Sequence, residues 1–325
     1  MSKPFRAVVT GHSFPSLDLE RDVLTGTAEL VESQPRNREE VVAVARTADA
    51  VLNQNSQIDA QVIESLERCR VIVAYGIGTD KIDLDVATRR GIQVCNVPGY
   101  CLEEVAAHTV ALLLAMERRV PQLMAELRAG RWVQPEPGDM RRLSGRVLGC
   151  LGFGRIARRV AAVADALGLR VIAHDPMLKT EQAGISIVGF EQLLEDSDYL
   201  TIHCPLTPET RGLIGSEALG RMRPGAVLIN ASRGKIVQQA ALVEALQSGR
   251  LRGAALDVFE AEPLPEDSPL LHMDQVVLTP HVAWFSTEAE EELKRTVAME
   301  ARRVLLGEPP QHPVNRPRPR ERRDG

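Results

Sequence analysis

Short β-branched runs alternate along this chain with segments whose apolar residues return at helical spacing. Residues 6–10, 50–52, 71–74 and 92–95 are the strand candidates of the first hundred positions. Strands that alternate with helices imply βαβ units and a parallel sheet. After the boundary at Pro98 and Gly99, residues 102–120 combine helical periodicity with a nearly continuous apolar stretch, 110–115, and predict one long helix buried on most sides. A second series starts at Gly145, with strands near 146–151, 170–174, 199–203, 226–230, 253–257 and 276–278. Six strands complete a doubly wound sheet. Residues 287–306 then form an amphipathic helix too late in the chain for that series, so it is expected to return to the first domain. The predicted fold class is α/β, with two doubly wound parallel-sheet domains. An outer domain of residues 1–100 plus 288–312 is interrupted by an inserted domain of residues 101–287. The Pro- and Arg-rich end, biased from Pro309 on and set apart as 313–325, is expected to be disordered.

Length supports two domains: 325 residues at about 150 per domain. The net charge of −5, with no basic stripe in the body of the chain, argues against a nucleic-acid partner. Five widely spaced cysteines, never arranged as C-x-x-C, suggest neither a disulfide framework nor a metal site, and point to a reducing cytoplasm. The N-terminal apolar run is too short for a signal peptide. The longest apolar stretch, 109–116, is far below the ~20 residues that span a membrane.

The sharpest local motif is Gly152-Phe153-Gly154-Arg155-Ile156-Ala157, a G-x-G-x-x-A between a predicted strand and a predicted helix. Gly152 allows the tight turn, Gly154 lets backbone amides approach a pyrophosphate at the helix N-terminus, and Ala157 lets helix and strand pack closely. The next strand ends in His174-Asp175-Pro176, which puts a carboxylate 23 residues after Gly152, where it can accept hydrogen bonds from an adenosine ribose. A 2′-phosphate about 4 Å from that carboxylate would be repelled by about 1 to 4 kcal/mol per unit charge. The expected cofactor is therefore NAD rather than NADP, with Lys179 nearby able to soften the preference.

The remaining strand ends of the second series carry Asn230-Ala231-Ser232-Arg233-Gly234, Asp257-Val258-Phe259-Glu260-Ala261-Glu262-Pro263 and Thr279-Pro280-His281. Open α/β sheets place their ligands at such ends, so an Arg, an acid and a His converge. Together with Tyr75-Gly76-Ile77-Gly78-Thr79-Asp80, Asn96-Val97-Pro98-Gly99 and Glu103-Glu104-Val105-Ala106, these segments resemble the signatures of the D-isomer-specific 2-hydroxyacid dehydrogenases over almost the whole chain.

That resemblance implies that His281 exchanges a proton with the substrate oxygen, Glu262 pairs with it, and Arg233 holds the substrate carboxylate and carbonyl. The chemistry agrees. A hydride arriving at a ketone carbon leaves alkoxide charge on oxygen, which needs a proton donor. A carboxylate stabilises an imidazolium, and a guanidinium offers a planar fork that stays charged when desolvated. Glu260 competes with Glu262, but only Glu262 falls on the family motif. By the same carry-over, Tyr75, Gly76, Ile77 and Gly78 belong to the loop that binds the substrate carboxylate. Thr109, His203, Cys204, Pro205, Thr210, Ala231, Ser232, Asp257 and Ala283 line the cofactor with the nucleotide motif, Asp257 reaching the carboxamide or else serving as a buried hydrogen-bonding residue.

Trp284 and Phe285 stand where many members carry small residues, which resembles the C-terminal-binding-protein branch, and Trp284 is expected to narrow the pocket or stack on a substrate tail. The resemblance further implies an active site in an interdomain cleft and a homodimer built on residues 102–142. The resulting expectation is a cytoplasmic NAD-dependent oxidoreductase of small 2-hydroxy or 2-keto acids. Its rivals are an NAD-sensing, corepressor-like binding module with vestigial catalysis and, less favoured, oxidation of a tiny anion such as formate or phosphite.

Overall fold

The computed structural model of the chain describes residues 4–136, 138, 140–182 and 184–317. They fall into two compact units, one made of residues up to Tyr100 with those from Ser286 on, the other of Cys101–Phe285.

The first unit holds β1 (Phe5–Thr10), β2 (Ala28–Ser33), β3 (Ala50–Asn53), β4 (Val71–Ala74) and β5 (Gln93–Cys95). All are parallel, in the order β2-β1-β3-β4-β5, which is the flavodoxin-like arrangement. Every residue of β3 and β4 is buried, as a parallel sheet covered on both faces requires. The connecting helices start at polar caps: Asn37, Asp59 and Asp83 each accept a hydrogen bond from an amide three residues on. Strand β2, absent from the sequence expectation, lies at the sheet edge and buries only Leu30, so its short polar alternation carried little signal.

The helix Thr287–Leu305 returns to this unit, packing on β3, β4 and the helix Asp18–Leu24. Beyond it the chain departs from the disordered end expected from the sequence. Val314 donates to the Val94 carbonyl at 2.8 Å. Asn315 Oδ1 accepts from the Val94 amide at 2.7 Å, and buried Glu300 accepts from the amides of Gln311 and His312. Residues 311–315 thus cover the open edge of β5, which would otherwise expose unpaired backbone groups. Residues 318–325 lie outside the described ones.

The second unit contains β6 (Val147–Leu151), β7 (Arg170–His174), β8 (Ser186–Ile187), β9 (Tyr199–Ile202), β10 (Ala226–Asn230), β11 (Leu251–Leu256) and β12 (Val276–Leu278). Its parallel order is β12-β11-β10-β9-β6-β7-β8, one short strand more than the six expected. The order reverses between β6 and β9, which makes that gap the topological switch point. The long helix expected over 102–120 is corrected to Leu102–Glu117 followed by Val120–Arg128. The break sits at Arg119, whose φ of 49° is left-handed and cannot continue a helix. The second of these helices buries none of its residues, and Val120, Met124 and Leu127 stay exposed.

Candidate active site

Three strand ends of the second unit share one edge because their register is aligned: Asn230 pairs with Leu256, and Leu256 with Leu278. The loops that follow carry Arg233, Glu262 and His281. Gly234 allows their close approach, since a Cβ there would lie 1.9 Å from the Phe259 carbonyl carbon, inside the loop that carries Glu262. Asn230 Nδ2 donates to the Arg233 carbonyl at 3.0 Å, and Arg233 Nη1 donates to the Ser232 carbonyl at 2.9 Å.

The carboxylate of Glu262 is held at both oxygens. Oε1 accepts from the Phe259 amide at 2.9 Å, and Oε2 lies 2.7 Å from His281 Nδ1. The structure therefore brings Glu262, not Glu260, to the histidine. His281 itself has a left-handed φ of 55°, rare for a residue with a side chain. Its amide donates to the Asp257 carbonyl at 2.8 Å and to that of Thr279 at 3.1 Å, and its carbonyl accepts from Trp284 Nε1 at 3.1 Å.

Asp257 has the buried hydrogen-bonding role that the sequence left open beside a cofactor contact. It is fully buried, and its carboxylate accepts from Thr279 Oγ1 at 2.6 Å and from the amides of Val282 and Ala283 at 2.9 Å each. It clamps the turn that displays His281. His108 was not singled out in the sequence, yet its Nε2 lies 2.9 Å from Thr279 Oγ1 and 3.6 Å from Asp257 Oδ1. A single histidine in the otherwise apolar run 105–116 was the available signal. Thr109, expected to line the cofactor, is 1% exposed, and its hydroxyl donates to the Val105 carbonyl of its own helix at 2.7 Å.

At the switch point, Gly152 has φ +86°, and a Cβ there would stand 2.7 Å from the Cys204 amide nitrogen, so only glycine fits. Gly154 opens the helix Arg155–Ala166, and a Cβ there would meet nothing within 4 Å, leaving room over the helix N-terminus for a phosphate group. Arg155 is exposed and Ile156 half-buried at the same turn. The Asp175 carboxylate accepts from the Phe153 and Met177 amides at 3.0 and 2.9 Å, which fixes it beside the glycine turn. Ser232 Oγ donates to the Cys204 carbonyl at 2.6 Å, and Thr210 Oγ1 to that of Pro205 at 2.7 Å, tying the loops after β9 and β10. Burial, reinforced by the Asp175 charge, pushes the Cys204 thiol up to about 11. His203 is bonded at 3.0 Å to Thr201, and enclosure of its ring lowers its pKa to about 4. Ala231 is half-buried beside Ser232, and Ala283 is buried. The turn, the open helix end and the fixed carboxylate fit a dinucleotide with a free adenosine ribose.

In the first unit, the carbonyls of the Gly76–Ile77 turn are tied down. Val97 donates to Gly76 at 2.9 Å, and Asn96 Nδ2 to Ile77 at 2.7 Å. Gly76 has φ +145°, a glycine conformation, and Gly78 continues the turn. Tyr75, expected in the substrate-binding loop, directly follows β4. Its hydroxyl is buried and donates at 2.9 Å to Glu20, whose carboxyl is pushed up by burial. Lys294 Nζ lies 3.9 Å from the other Glu20 oxygen. Residue spacing carried no sign of this trio.

Residues 110–283 match the model of the D-isomer specific 2-hydroxyacid dehydrogenase, NAD binding domain. A glyoxylate reductase of Korarchaeum cryptofilum is 40% identical over 291 residues, covering 87% of this chain and 88% of that protein. A D-3-phosphoglycerate dehydrogenase of Archaeoglobus fulgidus is 38% identical over 285 residues, covering 86% of this chain and 54% of that one. The chain thus spans about half the length of such phosphoglycerate dehydrogenases. Among solved structures, the NAD-dependent formate dehydrogenase of Staphylococcus aureus in complex with NAD superposes with a TM-score of 0.88 at 27% identity, covering 97% of this chain and 100% of that one.

The chain belongs to the D-isomer-specific 2-hydroxyacid dehydrogenase family. It contains that family's NAD-binding domain and folds as two parallel-sheet α/β units. Among the described residues, no helix is long and apolar enough to cross a membrane.

Proposed function

We propose that the chain interconverts a small 2-keto acid and its D-2-hydroxy acid, with His281 as general acid and base. The observation that carries this reading is the 2.7 Å contact between His281 Nδ1 and Glu262 Oε2 at the carboxyl edge of the nucleotide-binding sheet. With Nδ1 committed to the carboxylate, the exchangeable proton rides on Nε2. A nicotinamide dinucleotide held at the glycine turn and Asp175 would supply or accept the hydride. In the reductive direction His281 Nε2 would give a proton to the substrate oxygen, and in the oxidative direction it would take that proton back. Glu262 holds the imidazole in place through the Nδ1 contact. Arg233 presents a planar fork to the substrate carboxylate. The Gly76–Gly78 turn is assigned to substrate binding on the strength of the family motif, and Trp284 to the substrate side of His281.

NAD is assigned to Gly152, Gly154, Arg155, Ile156, Asp175, His203, Cys204, Pro205, Thr210, Ala231, Ser232 and Ala283. A homodimer fits the exposed apolar side chains Val120, Met124, Leu127 and Trp132, which a second copy would cover. We assign the chain to the cytoplasm, where its five cysteines stay reduced.

The test is His281→Asn. The variant is expected to lose turnover by a factor of about 10² to 10⁴, the usual weight of general acid–base catalysis, while keeping wild-type NADH affinity. Wild-type turnover in that variant refutes the assignment.

A further inference from the structure

The histidine that would move the proton is held in a conformation its own side chain disfavours. Its φ of 55° puts Cβ against the following carbonyl. Something must hold the turn there. On the amide side, His281 N is bonded to the carbonyls of Asp257 and Thr279, and the next two amides bind the Asp257 carboxylate. On the carbonyl side, the indole N–H of Trp284 donates at 3.1 Å.

These contacts meet on a single peptide plane. The carbonyl of His281 and the amide of Val282 belong to the same rigid peptide unit. Trp284 holds its oxygen, and Asp257 Oδ1 holds its N–H at 2.9 Å. Gripping both ends of the plane fixes its rotation, hence the direction of the His281 Cα–Cβ bond and the reach of Nδ1 to Glu262. Trp284 is itself braced. Phe285 donates to the Val282 carbonyl at 2.9 Å, closing the turn, and its ring meets the indole edge-on at 5.4 Å with an interplanar angle of 86°. An indole whose N–H is committed in this way is an oriented strut.

We propose that Trp284 is a positioning residue, locking the His281–Val282 peptide so that the imidazole stays aligned between Glu262 and the substrate oxygen. The proposal rests on His281 being the acid–base residue. It differs from a substrate-stacking role in what it moves: the proton-transfer step, equally for every substrate, rather than the affinity for a particular side chain.

The test is Trp284→Phe, which keeps an aromatic ring and removes the N–H. The variant is assayed for NADH-dependent reduction of glyoxylate and of a branched or aromatic 2-keto acid, beside His281→Asn and wild type. Losing one neutral hydrogen bond predicts a fall in kcat of about three- to tenfold, by the same factor with each substrate. KM is expected unchanged within about twofold, and the solvent deuterium isotope effect larger because proton transfer becomes more limiting. Trp284→His, which restores a ring N–H, is expected to recover part of the loss. Wild-type kcat in Trp284→Phe overturns the proposal, as does a loss confined to KM that scales with substrate size, which would make the indole a pocket wall. If His281→Asn turns over normally, the functional reading fails and this proposal with it. If His281→Asn is dead and Trp284→Phe is normal, the positioning role alone fails.

Discussion

Asp257 offers the most demanding quantitative prediction, because the sequence left open both a cofactor contact and a buried hydrogen-bonding role, and its observed bonds fit the second. Its buried carboxylate accepts three hydrogen bonds, from Thr279 Oγ1 at 2.6 Å and from the amides of Val282 and Ala283 at 2.9 Å. Replacement by Ala strands these donors. Val282 is 40% exposed, so its amide can turn to water, whereas Ala283 is 4% exposed and its amide cannot. A buried donor left without an acceptor costs about 1–3 kcal/mol, and bonds to a charged group contribute about 1.5–3 kcal/mol each. The total for Asp257→Ala comes to about 3–5 kcal/mol. For a domain of 150–250 residues each kcal/mol lowers Tm by about 2–4 °C, so a fall of about 6–20 °C is expected. Asp257→Asn keeps one acceptor but turns an amide group onto a backbone donor, so about half that fall is expected. Both variants should also lose more than about 90% of kcat, since the clamp displays His281, while NADH affinity stays near wild type. The assays are calorimetry, fluorescence titration with NADH, and turnover. A stable variant whose only defect is weak NADH binding would refute the clamp and restore the cofactor contact.

Three further outcomes are expected. Asp175→Ala should raise kcat/KM with NADPH by about tenfold relative to NADH, because the repulsion of a 2′-phosphate by a carboxylate about 4 Å away is of order 1–4 kcal/mol; an unchanged cofactor ratio in steady-state kinetics counts against the role of Asp175. His203 is held neutral in the fold with a pKa near 4, below the usual 6.5 of the unfolded chain. Its contribution to stability is therefore whole above pH 6.5 and declines by about 3 kcal/mol as pH falls toward 4, where the unfolded chain binds the extra proton. Urea unfolding of His203→Gln against wild type should show that this part of the pH slope has gone, and identical slopes would contradict it. Leu127→Glu combined with Trp132→Glu should convert a dimer to a monomer in sedimentation velocity; a wild-type chain already monomeric at micromolar concentration removes the dimer.

The alternation of short apolar runs with helical segments exposed both sheets because parallel strands buried on two faces are written as apolar runs, as β3, β4 and β10 are. The glycine turn and the strand-end motifs were legible for a related reason: their chemistry needs particular residues at fixed positions, such as the glycine whose Cβ would strike Cys204. What stayed hidden depends on direction or on distant partners. Edge strand β2 has too little buried surface to be written in apolar residues. The break at Arg119 follows from a backbone conformation and not from a change of composition. The seating of Asn315 on β5 needs Glu300 and Val94, neither of them near it in sequence. Tyr75, Thr109 and Asp257 sit on family motifs or beside them, yet spacing could not reveal that their polar atoms face Glu20, Val105 and the Val282–Ala283 amides. His108 escaped notice because its partner, Thr279, lies 171 residues away.

The central claim is most directly tested by following NADH consumption by the purified chain across a panel of 2-keto acids: glyoxylate, hydroxypyruvate, phosphohydroxypyruvate, and branched and aromatic members. Turnover of at least one of them is expected, faster with NADH than with NADPH, and lost in His281→Asn. Tight NADH binding with no turnover of any member would contradict it and make the chain a nucleotide-sensing module that keeps the dehydrogenase residues without their chemistry.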